Sequence, residues 1–185
     1  MSDRQALPGA RRGDWIQTFT GRQFWPLDPR PEDVDIRDIA HALAHQCRYA
    51  GHCLRFYSVA EHSILLAQVV SPAAAFAALM HDAAEAYLVD LPRPIKRSMP
   101  DYVAAEERVL AAILRAVGLD FIPNEVHAAD RRILSDEAAQ NMAPAPAPWS
   151  TAAAAFGVRL LYLAPEAAEA RFLRCFELLQ PRARA

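Results

Sequence analysis

Between Pro72 and Leu88 the chain is an Ala-rich apolar stretch with Phe76, Leu79 and Met80, interrupted by three charged or titrating groups: His81, Asp82 and Glu85. A stretch so apolar on every face makes a buried helix, and Ser71-Pro72 supplies an N-cap followed by proline at N1, so a helix is expected from there to about Leu88. His81 and Glu85 stand at i and i+4, and Asp82 and Glu85 at i and i+3, so the three groups share one region of it. A buried carboxylate is costly unless it meets a counter-charge, a hydrogen-bond donor or a metal. The rest of the chain must therefore wrap this helix and bring partners to it.

The flanking pattern is helical too. Asp35 can cap a helix that carries Ile36, Ile39, Ala40 and Leu43 on one face and ends before Gly51. Ser58 to Glu61 has the form of a capping box, which starts a second helix running to about Val70 and puts His62 in its first turn. Pro92 and Pro94 stop the third helix and imply an extended segment from Asp90 to Lys96. Further helices are expected over about 100–117, with Gly118 as the stop, from Pro123 toward Asn141 with Asp130 on it, and over about 165–179. No βαβ alternation appears, so the expected fold is an all-α bundle of about six helices. The β-formers Trp15, Ile16, Phe19, Phe24 and Trp25 around Thr20-Gly21 permit a small N-terminal hairpin. Residues 1–13 read as a mobile leader, and the alternating Ala and Pro of 143–148 as a stiff, exposed connector.

The 185 residues fit a single domain. Twenty Lys and Arg stand against 22 Asp and Glu, a formal charge of -2, so no positive field exists to hold a nucleic acid polymer. No apolar run reaches the length of a membrane span, and Cys47, Cys53 and Cys175 form no disulfide or zinc-ribbon spacing. A cytoplasmic protein with thiols reduced is the expectation.

If the helices bearing His62 and Asp130 pack around the third, these two groups join His81 and Asp82, and two imidazoles and two carboxylates converge. That donor set suits one divalent transition ion, Mn, Co, Fe, Ni or Zn ahead of Mg. The ordered segments Ser58-Val-Ala-Glu-His62, His81-Asp-Ala-Ala-Glu85, Asp90-Leu-Pro-Arg-Pro-Ile-Lys96 and Ala129-Asp130 resemble the signature of the HD-domain metal-dependent phosphohydrolases. Within these the likeness is to the YfbR-type 5′-deoxynucleotidases and their phage-encoded relatives acting on deoxynucleoside triphosphates, over about residues 48–132. The resemblance implies an HD-type helical fold, metal ligation by His62, His81, Asp82 and Asp130, and a homo-oligomer. It implies that Glu85 orients or deprotonates the attacking water, that Asp90 lines the same pocket, and that Arg48 and Lys96 neutralise phosphate oxygens. The sequence departs from that pattern at Tyr49, where tryptophan is usual, and at Val89, where glycine is common. Both adjoin the expected sugar pocket.

The expected activity is hydrolysis of a nucleotide phosphate ester, a (deoxy)nucleoside 5′-monophosphate first. A triphosphohydrolase releasing tripolyphosphate is the alternative, and a non-catalytic metal- or nucleotide-binding regulatory module is the reading of another class. His52, in the loop after Arg48, is a further phosphate-binding candidate. His41 and His45 have the i, i+4 spacing of a zinc pair, but no neighbouring glutamate or third ligand supports it, so packing or surface is the preferred reading. His127 is read as solvated rather than as a partner of Asp130, and Trp15, Phe24 and Trp25 as a local apolar cluster rather than a base-stacking platform.

Overall fold

The computed structural model describes residues 11–149 and 153–181. A hairpin of β1 (Ile16–Gln17) and β2 (Gln23–Phe24) pairs Ile16 with Phe24 in antiparallel register. Then follow α1 (Ile36–His45), α2 (Val59–Val69), α3 (Ala75–Met80), α4 (Glu85–Leu88), α5 (Arg93–Lys96), α6 (Pro100–Ala116), α7 (Asn124–Asn141) and α8 (Pro165–Leu179). The fold is thus all-α with a small hairpin, as the periodicity predicts. No helix among the described residues is long and apolar enough to cross a membrane.

The main core joins Ile39, Leu43, Ile64, Leu79, Met80, Val109, Ile113 and Phe172, so α1, α2, α3, α6 and α8 close on one another. A second cluster, with Leu66, Ala78, Val126 and Ile133, lays α7 against α2 and α3. The expected third helix therefore lies between both clusters, where its apolar surface belongs.

That helix is not continuous, however. After Met80 the backbone tightens to i→i+3 hydrogen bonds, Ala83 N to Met80 O at 3.1 Å and Glu85 N to Asp82 O at 3.0 Å, before α4 begins. The segment expected to be extended before Lys96 contains α5, a single turn that Pro94 tolerates because it lies in the first turn. The capping box is half made: Ser58 Oγ accepts the N–H of Glu61 at 3.1 Å. The Glu61 carboxylate does not return to Ser58. It accepts the N–H groups of Leu161, Tyr162 and Leu163 at 2.6 to 3.0 Å. Asp136 does the same for Phe156, Gly157 and Val158 at 2.7 to 3.0 Å. These two buried carboxylates satisfy a stretch, 153–164, that has no helix or strand to bond with.

The N-terminal hairpin is docked on α1, with buried Asp38 accepting from the Thr20 N–H at 2.7 Å and from its hydroxyl at 3.0 Å. Phe24 is fully buried and stacks on Tyr87, so it belongs to the main core rather than to a local cluster with Trp15 and Trp25. Of the expected leader, residues 1–10 lie outside the described residues. Arg11 is anchored, bonding Asp33 at 2.6 Å and lying 4.4 Å from the Trp25 ring centroid. Residues 143–148 are exposed and non-helical, as their composition predicts.

Candidate metal centre and cleft

A histidine can give a metal one ring nitrogen when its other nitrogen is occupied by a hydrogen bond that fixes the tautomer. His81 meets this condition, its Nδ1 lying 2.8 Å from the carbonyl oxygen of Ala78, which can only accept. His62 meets it as well: its Nδ1 lies 2.6 Å from a carboxylate oxygen of Glu137. Both rings therefore hold Nε2 free, and the two Nε2 atoms are 3.4 Å apart.

Carboxylates complete the cluster. Asp130 Oδ1 lies 3.4 Å from His62 Nε2 and 4.0 Å from His81 Nε2. Asp82 Oδ2 lies 3.0 Å from His81 Nε2 and 3.6 Å from His62 Nε2. Ligands bonded at about 2.0–2.2 Å to a common ion stand roughly 3–3.5 Å from one another, so most of these spacings are those of a coordination shell. One ligand atom each from His62, His81 and Asp130 falls within a 4.8 Å group that could hold a metal ion. The donor set, two imidazoles with carboxylates, fits a divalent transition ion.

Electrostatics say the same. Four lone-pair atoms face each other here, and such a group needs a positive charge in its midst. Burial opposes a charge on His62, and so does Arg48, yet Glu137 and Asp130 outweigh both and carry its pKa up to about 9. Burial likewise works against charge on Asp82, but the two histidines hold it down to about 2. Asp130 is held well below the usual carboxylate range, because His62 and His81 overcome its desolvation. The cluster thus favours positive charge at its centre.

Beside this cluster opens a cleft of about 680 Å³, within the range of small-molecule sites. Asp82 and Asp130 lie on its wall with Arg48, Tyr49, His52, Glu85, Asp90 and Lys96, so every site residue expected from the sequence other than the buried His62 and neighbouring His81 lines one cavity. Glu85 is 7% exposed, and its Oε2 has no hydrogen-bond partner. Burial, together with Asp82 and Asp90, pushes its carboxyl well above the usual range. Burial raises Asp90 too.

The two expected phosphate cations are engaged with protein partners. Arg48 is buried, with one guanidinium nitrogen 3.3 Å from Glu137 and another 3.6 Å from Asp82, while its Nε is unpartnered. Lys96 Nζ pairs with Glu106 at 2.5 Å. Tyr49 follows Arg48 in a left-handed conformation (φ 58°) and donates its hydroxyl to Glu137.

Sequence reasoning missed Glu137, a fully buried residue that holds His62, Arg48, Tyr49 and Tyr57 together. A signal existed, because Glu137 lies seven residues after Asp130, two turns along the same face of α7. It also missed Gln46, whose amide donates to the Glu85 backbone carbonyl at 3.0 Å and accepts from the Asp90 N–H at 3.1 Å, tying the backbone at both residues to the end of α1. Arg93, Arg97 and Trp149 are further cleft residues. Arg93 reaches Asp130 at 3.5 Å.

No family model matches the chain. The chain is similar to the uncharacterized protein YfdR of Escherichia coli K12, 48% identical over 105 residues, which cover 57% of this chain and 59% of that protein. It is similar also to an uncharacterized protein of Rhodobacter capsulatus, 38% identical over 115 residues and again 57% of this chain and 59% of the relative. The chain spans less than two thirds of the length of these curated relatives, and likeness to them is what the comparisons establish.

Proposed function

We propose that this protein is an HD-type metal-dependent phosphohydrolase that cleaves a phosphate ester of a nucleotide, a (deoxy)nucleoside 5′-monophosphate first. The observation that carries the reading is that the Nε2 atoms of His62 and His81 each lie 3.0 to 4.0 Å from a carboxylate oxygen of Asp82 and of Asp130, next to a cleft lined by buried Glu85, whose Oε2 is unpartnered. A divalent ion held there would act as a Lewis acid and make water a nucleophile at neutral pH. Glu137 fixes the ring of His62, and the Ala78 carbonyl that of His81, so the ligands are oriented in advance.

Glu85 is the group placed to take a proton. Glu85 lines the cleft and its Oε2 has no hydrogen-bond partner, and its raised pKa suits a base that must later give the proton up. Arg48, Arg93, Lys96 and Arg97 supply positive charge for phosphate oxygens, whose charge shifts in the transition state. Tyr49 and Trp149, ring centroids 6.0 Å apart on the cleft wall, offer aromatic faces for a base or sugar. A purely ligand-binding module would have no need of a buried base beside the metal.

The test is phosphate release from a nucleotide panel with Mn²⁺, Co²⁺, Ni²⁺ or Zn²⁺ added to metal-stripped protein. Turnover is expected with at least one ion, abolished by His81→Ala or Asp82→Ala and lowered about 10²–10⁴-fold by Glu85→Gln. No turnover on any nucleotide with any ion would refute the proposal. One observation favours a second reading: Arg93, Lys96 and Arg97 extend the positive wall along the turn around α5, which would suit a triphosphate. Chromatography of the products separates phosphate from tripolyphosphate.

A further inference from the structure

His41 and His45 lack a third ligand in their own stretch of sequence, but α8 brings one to them. Glu169 lies on the helix that packs against α1, directly after the fully buried Ala168. Its Oε2 is 2.9 Å from His41 Nδ1, and one ligand atom from each of His41, His45 and Glu169 falls within 4.8 Å of the other two.

The His45 ring is held as ligands are held elsewhere in this molecule. His45 Nδ1 lies 2.8 Å from the carbonyl oxygen of His41, so it carries the proton and leaves the lone pair on Nε2. His81 is fixed by the same kind of bond. Phe19 covers one face of the His41 ring, parallel to within 7° at 3.7 Å between centroids, and the His45 ring lies 4.1 Å away. The 2.9 Å separation of His41 Nδ1 from Glu169 Oε2 matches the roughly 3 Å edge between adjacent ligands of one ion. Helices α1 and α8 share the main core through Ala40, Leu43, Ala168 and Phe172, so the frame beneath the three groups is rigid.

We infer that His41, His45 and Glu169 form a second metal site, separate from the His62 centre, which takes a divalent ion of the zinc type and clamps α1 to α8. The site is half-exposed, with His41 and Glu169 side chains at 29% and 21% exposure, so water completes the coordination. Two imidazoles and one carboxylate select Zn²⁺, Co²⁺ or Ni²⁺ over Mg²⁺ or Ca²⁺. Ligation through His41 Nδ1 puts the proton of the neutral ring on Nε2. The inference is independent of any catalytic activity.

The experiment uses the untagged, chelator-stripped chain with the other centre disabled by His81→Ala, titrated with Zn²⁺ by calorimetry and with Co²⁺ by visible absorption. One equivalent is expected to bind, and at about 100 times Kd it should raise Tm by about 5–10 °C. Adding His45→Gln or Glu169→Gln should weaken that binding at least tenfold and remove the Tm gain, while the metal-free Tm and circular dichroism of the variants show that they still fold. Absence of binding in the His81→Ala chain would overturn the inference. So would binding that neither added substitution weakens, which would leave His41 and Glu169 as an ordinary hydrogen-bonded pair. Glu169→Gln in the otherwise native chain keeps the His62 centre intact, so its metal binding and turnover report separately on the proposed activity.

Discussion

Glu137 shows what a single residue contributes here, because its carboxylate sets the tautomer of His62 from behind. Glu137→Gln keeps the shape but weakens that control and unbalances Arg48, so the affinity of the His62 centre for Mn²⁺ or Co²⁺ should fall about 10–100-fold. Equilibrium dialysis measures it, and an unchanged affinity would speak against the role. Val89 is the opposite case, a residue the backbone disfavours. Its φ of 65° and ψ of 159° fall in a region essentially reserved for glycine, and its side chain is 57% exposed and packs little. The strain of about 1–3 kcal/mol exceeds the entropy glycine would lose. Val89→Gly should therefore stabilise the protein by about 1 kcal/mol in urea unfolding, and Val89→Ala should gain less. Glycine is what the resemblance leads one to expect before Asp90, and the dihedral angles give the physical reason.

At the scale of elements, caps and breaks decide what can be read. Asp35 bonds the N–H of Arg37 at 3.0 Å to start α1, and the Arg37 guanidinium, against some desolvation, lowers its pKa to about 2. A carboxyl depressed in the folded state stabilises above its unfolded pKa and loses that contribution as pH falls. Asp35→Ala should thus cost about 1 kcal/mol at neutral pH, less where solvent screens the pair, with the difference shrinking from pH 3.8 toward 2 in chemical denaturation. Glu61 serves the irregular segment 153–164, and Glu61→Ala leaves three N–H groups without their acceptor. A loss of about 3–5 kcal/mol is expected by the same measurement. The helices α1, α2, α6, α7 and α8 were legible because each carries its own period and its own start or stop. The break after Met80 was not, since no glycine or proline marks it. The winding there is set by packing between two clusters, which one stretch of sequence does not contain.

For the molecule as a whole, the cleft draws residues from three stretches far apart in the chain, 48–52, 82–97 and 130–149. His62, His81 and Asp82 could be picked out because histidine and aspartate are conspicuous in apolar stretches, and Asp130 because its place after them fits the ordered pattern. Gln46 and Glu137 could not be told from solvent-facing polar residues without knowing which face of α1 and α7 is covered. Glu169 lies 128 residues from His41, so only the packing of α8 on α1 joins them. Ligand types betray themselves locally, while their partners are chosen by the fold. The claim on which the rest stands is that the His62 centre holds a metal. Crystals of the full chain soaked in Mn²⁺ should show an anomalous difference peak about 2.0–2.2 Å from His62 Nε2, His81 Nε2 and a carboxylate oxygen each of Asp82 and Asp130. A peak elsewhere, or none at that position at full soak, would contradict the account.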